Sequence, residues 1–499
     1  MRLSRRDCLR LGAAAGAGAL LSGCSQAVRQ FATPALPATL ALPSDNVDPI
    51  ARLVNRVSFG PTPGEMARVA ALGPSSYVEE QLYPDSEEPL AVTARLRGLE
   101  AMEVSAGEVG DLRKEEILRQ MQMAAIVYAV YSPHQLRERM VDFWTNHFNI
   151  FAHKGLGAFL KPTDELKVIR ANALGRFPDL LRASAHSPAM LSYLDNQVSR
   201  RGIPNENYAR ELMELHTLGV HGGYTQKDVQ EVARCFTGWT VEEGFLKPRG
   251  RFKFDPDLHD DSPKEVLGHT IPAGLGKRQG DMVLDILARH PSTARFIASK
   301  LCRYFLGEAA ESWIERTAQT YLQTNGDIKA MLRPILLSQE LVASAPIMKR
   351  PFDFMISALR ALNADTDGGK PLQEHLARMG QPLYQWPMPD GYPDRTAAWT
   401  GSLLARWNFG LALVNGAIAG TTADIPAILR VAKAQTNVQR AQTLAEVVLA
   451  RRADSQAMQP LCQSLRAYMD RAPVSADGSD SLQRETAALA LASPLFQWR

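Results

Sequence analysis

Apolar residues recur at helical spacing, with polar residues filling the opposite face, over most of the chain. The pattern predicts helices over residues 61–72, 75–82, 114–130, 135–151, 163–173, 178–185, 188–194, 206–218 and 226–237. It continues over 280–289, 291–306, 310–324, 328–337, 352–362, 372–379, 402–417, 426–434, 437–449, 464–470 and 481–492. Ser132-Pro133 breaks the two longest early helices, because the residue before a proline avoids the helical region. Strand-like alternation is confined to 251–254 and 265–271, which predict one small hairpin flanking an acidic loop. The expected architecture is mostly α: a large multi-helix body with one small β-hairpin.

The first segment has a different pattern. Arg5-Arg6 precedes an Ala/Gly-rich apolar run over 11–21 that is too short to span a bilayer as a helix. Paired arginines before such a run read as a twin-arginine export signal. Leu21-Ser22-Gly23-Cys24 reads as a lipobox, which makes Cys24 the candidate lipidation site and residues 1–23 the signal peptide. By resemblance to bacterial lipoproteins, Ser25 after the anchor permits transfer to the outer membrane. Residues 24–46 are Ala/Pro-rich and read as a flexible tether. The expected body is 47–499, dividing into two subdomains near residue 272. The expected location is the periplasmic or cell-surface face of a bacterial membrane, held by lipid.

Composition is that of a globular protein, with 45% hydrophobic and 22% charged residues, and excludes disordered, collagenous and coiled-coil classes. The net charge of +3 comes from the leader. Without residues 1–23 the 56 basic and 53 acidic side chains fall to 52 each, and no global field favours nucleic acid. Beyond Cys8 and Cys24, three widely spaced cysteines (Cys235, Cys302, Cys462) form no readable framework. No Walker loop, G-x-S-x-G, G-x-G-x-x-G, H-E-x-x-H or C-x-x-C-H is present, which removes support for the chemistries they serve.

Several constellations carry candidate chemistry. On the helix around 138–151, Glu138, Asp142, Thr145, Asn146 and Asn149 share one face, while Phe143, Trp144, His147 and Phe151 share the other. Asparagine is a poor helix former, so this stripe predicts a buried polar network rather than a solvated face. His147 reads either as a core histidine bonded to a carbonyl or as a ligand or base. On 206–218, Asn207, Glu211 and Glu214 share a face with Arg210 at its edge, and His216 points away. The two polar faces are expected to meet in one cavity, where Asp142, His147, Asn207, Arg210, Glu211 and Glu214 would be catalytic groups. A carboxylate–arginine network that only holds helices together is the structural alternative. Thr225 with Asp228 predicts a capping box opening the next helix. In the loop 254–261, His259 and Asp260 are candidate ligands of a divalent metal. The aromatic segment 384–394 holds Asp390-Gly391 between prolines, a rigid turn that either lines a site or plugs the core.

Asn55-Arg-Val-Ser-Phe-Gly-Pro-Thr62, Phe143-Trp-Thr-Asn-His-Phe148, Asn207-Tyr-Ala-Arg-Glu-Leu-Met-Glu-Leu-His-Thr-Leu-Gly219, Phe236-Thr-Gly-Trp239, His259-Asp260, Leu267-Gly268 and Pro389-Asp-Gly-Tyr-Pro393 together resemble the bacterial domain-of-unknown-function 1800 family, from about residue 50 onward. The resemblance implies an exported, large, helix-rich protein. It also implies a partner from a second exported family, domain of unknown function 1501, which is similar to alkaline phosphatases and sulfatases. It implies no particular activity. Two functions follow as expectations: a metal-binding enzyme of the cell envelope, or a non-catalytic partner of a co-exported hydrolase-like protein.

Overall fold

The computed structural model describes residues 49–84, 87–103, 112–242, 250–452, 454–456, 458–469 and 478–499. The leader, the tether and Cys24 lie outside the described residues.

The protein is mostly helical with a small β part. The helices that position the site are α1 (Pro49–Val57), α2 (Lys114–Tyr131), α3 (Gln135–His147), α4 (Gly157–Asp164), α5 (Glu206–Glu211), α6 (Gln226–Cys235), α7 (Arg278–Arg289), α8 (Pro291–Leu306), α9 (Pro351–Ala361), α10 (Leu403–Val414) and α11 (Gly478–Ala492). Their ends follow local chemistry. Ser132, before Pro133, takes an extended conformation and closes α2. Buried Gln135 then donates to the carbonyls of Ala129 (3.1 Å) and Ser132 (2.7 Å), covering groups the helix end leaves open. Pro291 and Pro351 occupy the first turns of α8 and α9, where a missing N–H costs nothing.

Among the described residues, two helices pass into π-helical spacing. The helix containing α4 begins upstream of the expected residue 163, carries Pro162 inside it, and continues as π-helix over Glu165–Arg170. The helix begun by α5 becomes π-helical over Leu212–Thr217. The carbonyl of Met213 accepts from Leu218 N at 2.8 Å, a five-residue step.

Among the described residues, the β part is three two-stranded antiparallel sheets: β1 (Trp239–Val241) with β2 (Phe252–Phe254), β3 (Lys264–Val266) with β4 (His269–Ile271), and β5 (Asp365–Thr366) with β6 (Thr421–Thr422). The segments 251–254 and 265–271 therefore do not pair with each other. Leu267 and Gly268 both have positive φ (50° and 75°), the geometry of a two-residue hairpin turn, so β3 folds back onto β4. Gly238 (φ 75°) lies so close to the Asp255 carbonyl that a Cβ would sit 2.4 Å from it, which lets β2 return to β1.

Buried apolar side chains form two large clusters. The first joins α1, α3, α6, α7 and α8 and takes residues from both sides of position 272 (Val266, Ile271, Val283, Leu284). The second joins α2, α9, α10 and α11. A third, small cluster (Met348, Tyr392, Trp399) is packed by Trp386 and Leu403. The polar face of α3 lies along the seam between the two large clusters.

Candidate functional site

Glu138, Asp142, Thr145, Asn146 and Asn149 all line one small cavity of about 50 Å³ at this seam. Their partners come from α4's π-helical extension and from the C-terminal half, not from α5. Arg170 grips both oxygens of Glu138 (2.7 and 2.8 Å) and stacks on Tyr128, its charge centre 3.7 Å from the ring centroid. Thr145 donates to Glu165 at 3.0 Å, and Lys161, fully buried, sits between Asp164 (2.6 Å) and Glu165 (3.3 Å). Asp142 accepts from Arg350 and from Tyr304 (3.4 Å). Each carboxylate here has a cation or hydroxyl partner. A network so satisfied locks elements together and leaves little unspent for a ligand.

The asparagines have a second role. Asn146 donates to the carbonyl of Tyr392 (3.0 Å) and accepts from Tyr392 N (2.7 Å). Asn149 donates to the carbonyls of Trp386 (3.0 Å) and Met388 (2.6 Å). Together they fasten the turn 386–393 onto α3. Gly391 (φ 76°) is pressed against this helix, and a Cβ there would sit 2.2 Å from the Asn146 carbonyl.

On the other side of Asn146 and Tyr392 lies a larger cavity of about 470 Å³. Its walls include Phe143, Phe296, Tyr304 and Tyr392, with Ile347 and Met348. Five cationic side chains reach it (Lys300, Arg303, Arg350, Arg395, Arg499) against two carboxylates, Asp390 and Asp394. Arg303 approaches Asp394 at 3.5 Å, and Arg350 is held by Asp142. Asp390 accepts from Trp386 Nε1 at 2.9 Å. Lys300 makes no hydrogen bond or ion pair among the described residues; its nearest ring contact is Phe296, 5.6 Å from ammonium to centroid. Burial, reinforced by Arg303, pushes the Lys300 ammonium down to about 8, against the opposing pull of Asp394 and Asp390. Arg499 is over nine-tenths buried, and its Nε and Nη1 lack hydrogen-bond partners.

The expected meeting of the Asp142 and Glu211 faces does not occur. Glu211 lines neither cavity. It is half-buried, and burial, with Glu214 and Asp390 nearby, raises its carboxyl above the usual range. Glu214 accepts from Tyr224 at 3.4 Å. Arg210 donates to Glu206 (3.1 Å) and Gln226 (2.9 Å), pinning α5 to the start of α6. Asn207 donates to the Leu194 carbonyl at 3.2 Å. These three serve local joints. Asp142 instead finds a cation from α9's N-cap, which no spacing in the sequence announces.

His147 is a core histidine. Its Nε2–H donates to the carbonyl of His216 (3.1 Å), among Phe143, Trp144, Phe148, Phe177 and Phe296. Burial holds its imidazole well below the ordinary value. The His216 ring packs 5.9 Å from His147 and is pushed down to about 3 by burial. The His147 ring stands behind the Phe143/Phe296 wall of the larger cavity.

His259 and Asp260 do not form a metal-ligand set. His259 engages both ring nitrogens, with the Thr237 carbonyl (2.8 Å) and Gln279 Oε1 (2.9 Å). Asp260 accepts from Arg234 Nε at 2.8 Å and from Ser262. Burial raises the Asp260 carboxyl, but the bonds from Arg234 and Ser262 outweigh it and hold it well below the usual range. No group of three or more His, Cys, Asp or Glu is placed to hold a metal ion among the described residues.

The cationic wall went unread in the sequence, although part of it was visible. Phe296, Lys300, Arg303 and Tyr304 fall at i, i+4, i+7 and i+8, one stripe of the helix 291–306. Arg350 and Arg499 carried no such signal.

These features define a class: a mostly helical protein with an aromatic, cation-rich cavity between its first apolar cluster and the small Met348/Tyr392/Trp399 cluster. The chain belongs to the family described as Protein of unknown function (DUF1800), which matches residues 52–498. Comparison with curated proteins and with solved structures gives no match.

Proposed function

We propose that this chain is an exported, lipid-anchored envelope protein whose helical body binds a small organic anion in the 470 Å³ cavity. The carrying observation is Lys300: a lysine whose ammonium is buried and has no hydrogen bond or ion pair among the described residues, in a cavity where cationic side chains outnumber carboxylates five to two. The volume falls in the range of small-molecule sites. The aromatic walls suit an apolar body, and the cations suit its charged head. The Arg5-Arg6 signal and the lipobox ending at Cys24 support the export and anchoring parts of the reading. No helix among the described residues is long and apolar enough to cross a membrane.

Naphthalene-2-sulfonate is a direct probe, with naphthalene-2-methanol as its neutral counterpart. Calorimetric titration of the full chain is expected to show the sulfonate binding at least about tenfold more tightly, equivalent to about 1.4 kcal/mol. Equal affinity for the two, or for neither a measurable heat, would remove the anion-binding reading.

A further inference from the structure

A second, separate cavity of about 50 Å³ opens on the far side of the segment 346–350. Arg52 of α1, Lys349, Arg451 and Arg499 line it, with Asn55 and Ser357, and no Asp or Glu side chain does among the described residues. Arg52 and Arg451 have no side-chain hydrogen bond or ion pair among the described residues. Lys349 is nearly fully buried, donates to Ser357 Oγ at 2.8 Å, and lies 3.8 Å from the centroid of the Phe496 ring. Arg499 brings the guanidinium already noted, over nine-tenths buried, with Nε and Nη1 lacking hydrogen bonds and Nε 3.8 Å from Asp353.

Arg56, one turn along α1 from Arg52, adds a further charge. It is fully buried, it bonds the Ala345 carbonyl (2.8 Å) through Nη2, and its Nε and Nη1 have no partner. Burial, together with Arg499, Arg52 and Arg139, pushes its guanidinium down to about 8. The buried carboxylate of Asp353 is already shared by Arg139 (2.5 Å), Arg350 (3.7 Å) and Arg499 (3.8 Å). Buried like charges with open donors are costly unless an anion completes them. Guanidinium forks match tetrahedral oxygens, and the volume suits a single small ion rather than an organic molecule.

We infer that this cavity is a binding site for a phosphate- or sulfate-type oxyanion, held by Arg52, Arg451 and Arg499 with Lys349 beneath. The site is independent of the larger cavity, sharing only Arg499 with it. The oxyanion can be a free ion or the phosphate of a lipid headgroup, since both present the same oxygens.

The test is thermal unfolding of the full chain against potassium phosphate, with potassium chloride at matched ionic strength. The expected result is a saturable rise in Tm with phosphate, at least tenfold more phosphate being needed in Arg52→Gln/Arg451→Gln. The response should persist in Lys300→Met, which separates this site from the proposed function. A response equal to chloride, or unchanged in the double variant, overturns the inference. If the double variant does not fold, Arg451→Gln alone and equilibrium dialysis of labelled phosphate against the unsubstituted chain decide. One saturable ion per chain, weakened by Arg451→Gln, supports the site, and no saturable binding overturns it. Sedimentation of the Cys24→Ala chain with phosphatidylglycerol vesicles identifies the source. Arginine-dependent co-sedimentation points to headgroups, and phosphate binding without it points to the free ion.

Discussion

At the residue scale, the histidines show how burial sets chemistry. His147 and His216 stay neutral in an aromatic core, and His216 is pushed down to about 3. In the unfolded chain each takes up a proton near its ordinary value of about 6.5. The unfolded state therefore binds more protons between about pH 6.5 and 3, and stability falls as the medium is acidified through that window. The limiting slope is about 1.4 kcal/mol per pH unit per histidine. Urea denaturation of His216→Gln at pH 7.5, 6 and 5 should show a shallower acid loss than the unsubstituted chain; parallel slopes would mean that His216 already titrates in the folded protein. The sequence placed His147 among aromatics correctly, because one helix face follows from spacing alone. It could not say what His147 bonds, since the His216 carbonyl comes from 69 residues away. The π-helical stretch Leu212–Thr217 carries no compositional mark, yet it sets where His216 falls.

At the element scale, caps and turns were readable and partners were not. The Thr225/Asp228 capping box is present, with Asp228 N donating to Thr225 Oγ1 (3.2 Å) and Thr225 N donating to Asp228 (2.8 Å). Thr225→Ala should cost about 1 kcal/mol in urea denaturation; no change would show that the α6 start is held by tertiary contacts instead. Asn146 was legible on a non-solvated face because asparagine is disfavoured within a helix; Asn149 lies past the end of α3, which stops at His147 and not at the expected residue 151. The purpose of Asn146, fastening the turn 386–393, depends on a contact 246 residues distant in Asn146–Tyr392. Gly391→Ala meets both a positive φ and a 2.2 Å approach to the Asn146 carbonyl. It should cost at least about 1 kcal/mol and weaken sulfonate binding, because the turn carries Asp390 and Tyr392 into the cavity wall. Unchanged stability and affinity in that variant would show that the turn is not part of the wall's support.

At the scale of the whole molecule, the mostly α architecture was legible from helical periodicity, and the family from motifs spread over the chain. The cavity was not legible, because its cations come from 300, 303, 350, 395 and 499 and meet only when distant segments of the chain pack against the first apolar cluster. The carboxylate-rich strings that drew attention in the sequence are mostly neutralised locally, as Glu138 is by Arg170 and Asp260 by Arg234. Lys300, by contrast, has no hydrogen bond or ion pair among the described residues. Anchoring is also a whole-molecule property of the proposed function. Cys24→Ala should move the protein from the membrane fraction to the soluble fraction of the envelope, and an unchanged distribution would contradict lipid attachment.

The central claim is that Lys300 is the receiving charge of the larger cavity, and its titration tests that claim most directly. Naphthalene-2-sulfonate stays anionic across the working range, so any pH dependence belongs to the protein. Burial pushes the Lys300 ammonium down to about 8, and a bound anion moves it upward. The dissociation constant, measured by calorimetry from pH 6 to 10, should be flat below about pH 7. It should then rise toward tenfold per pH unit above about 8. Lys300→Met should bind at least about tenfold more weakly at pH 6.5 and lose this pH dependence. A wild-type constant that does not change across the range, or a Lys300→Met variant that keeps both affinity and pH profile, would contradict the account.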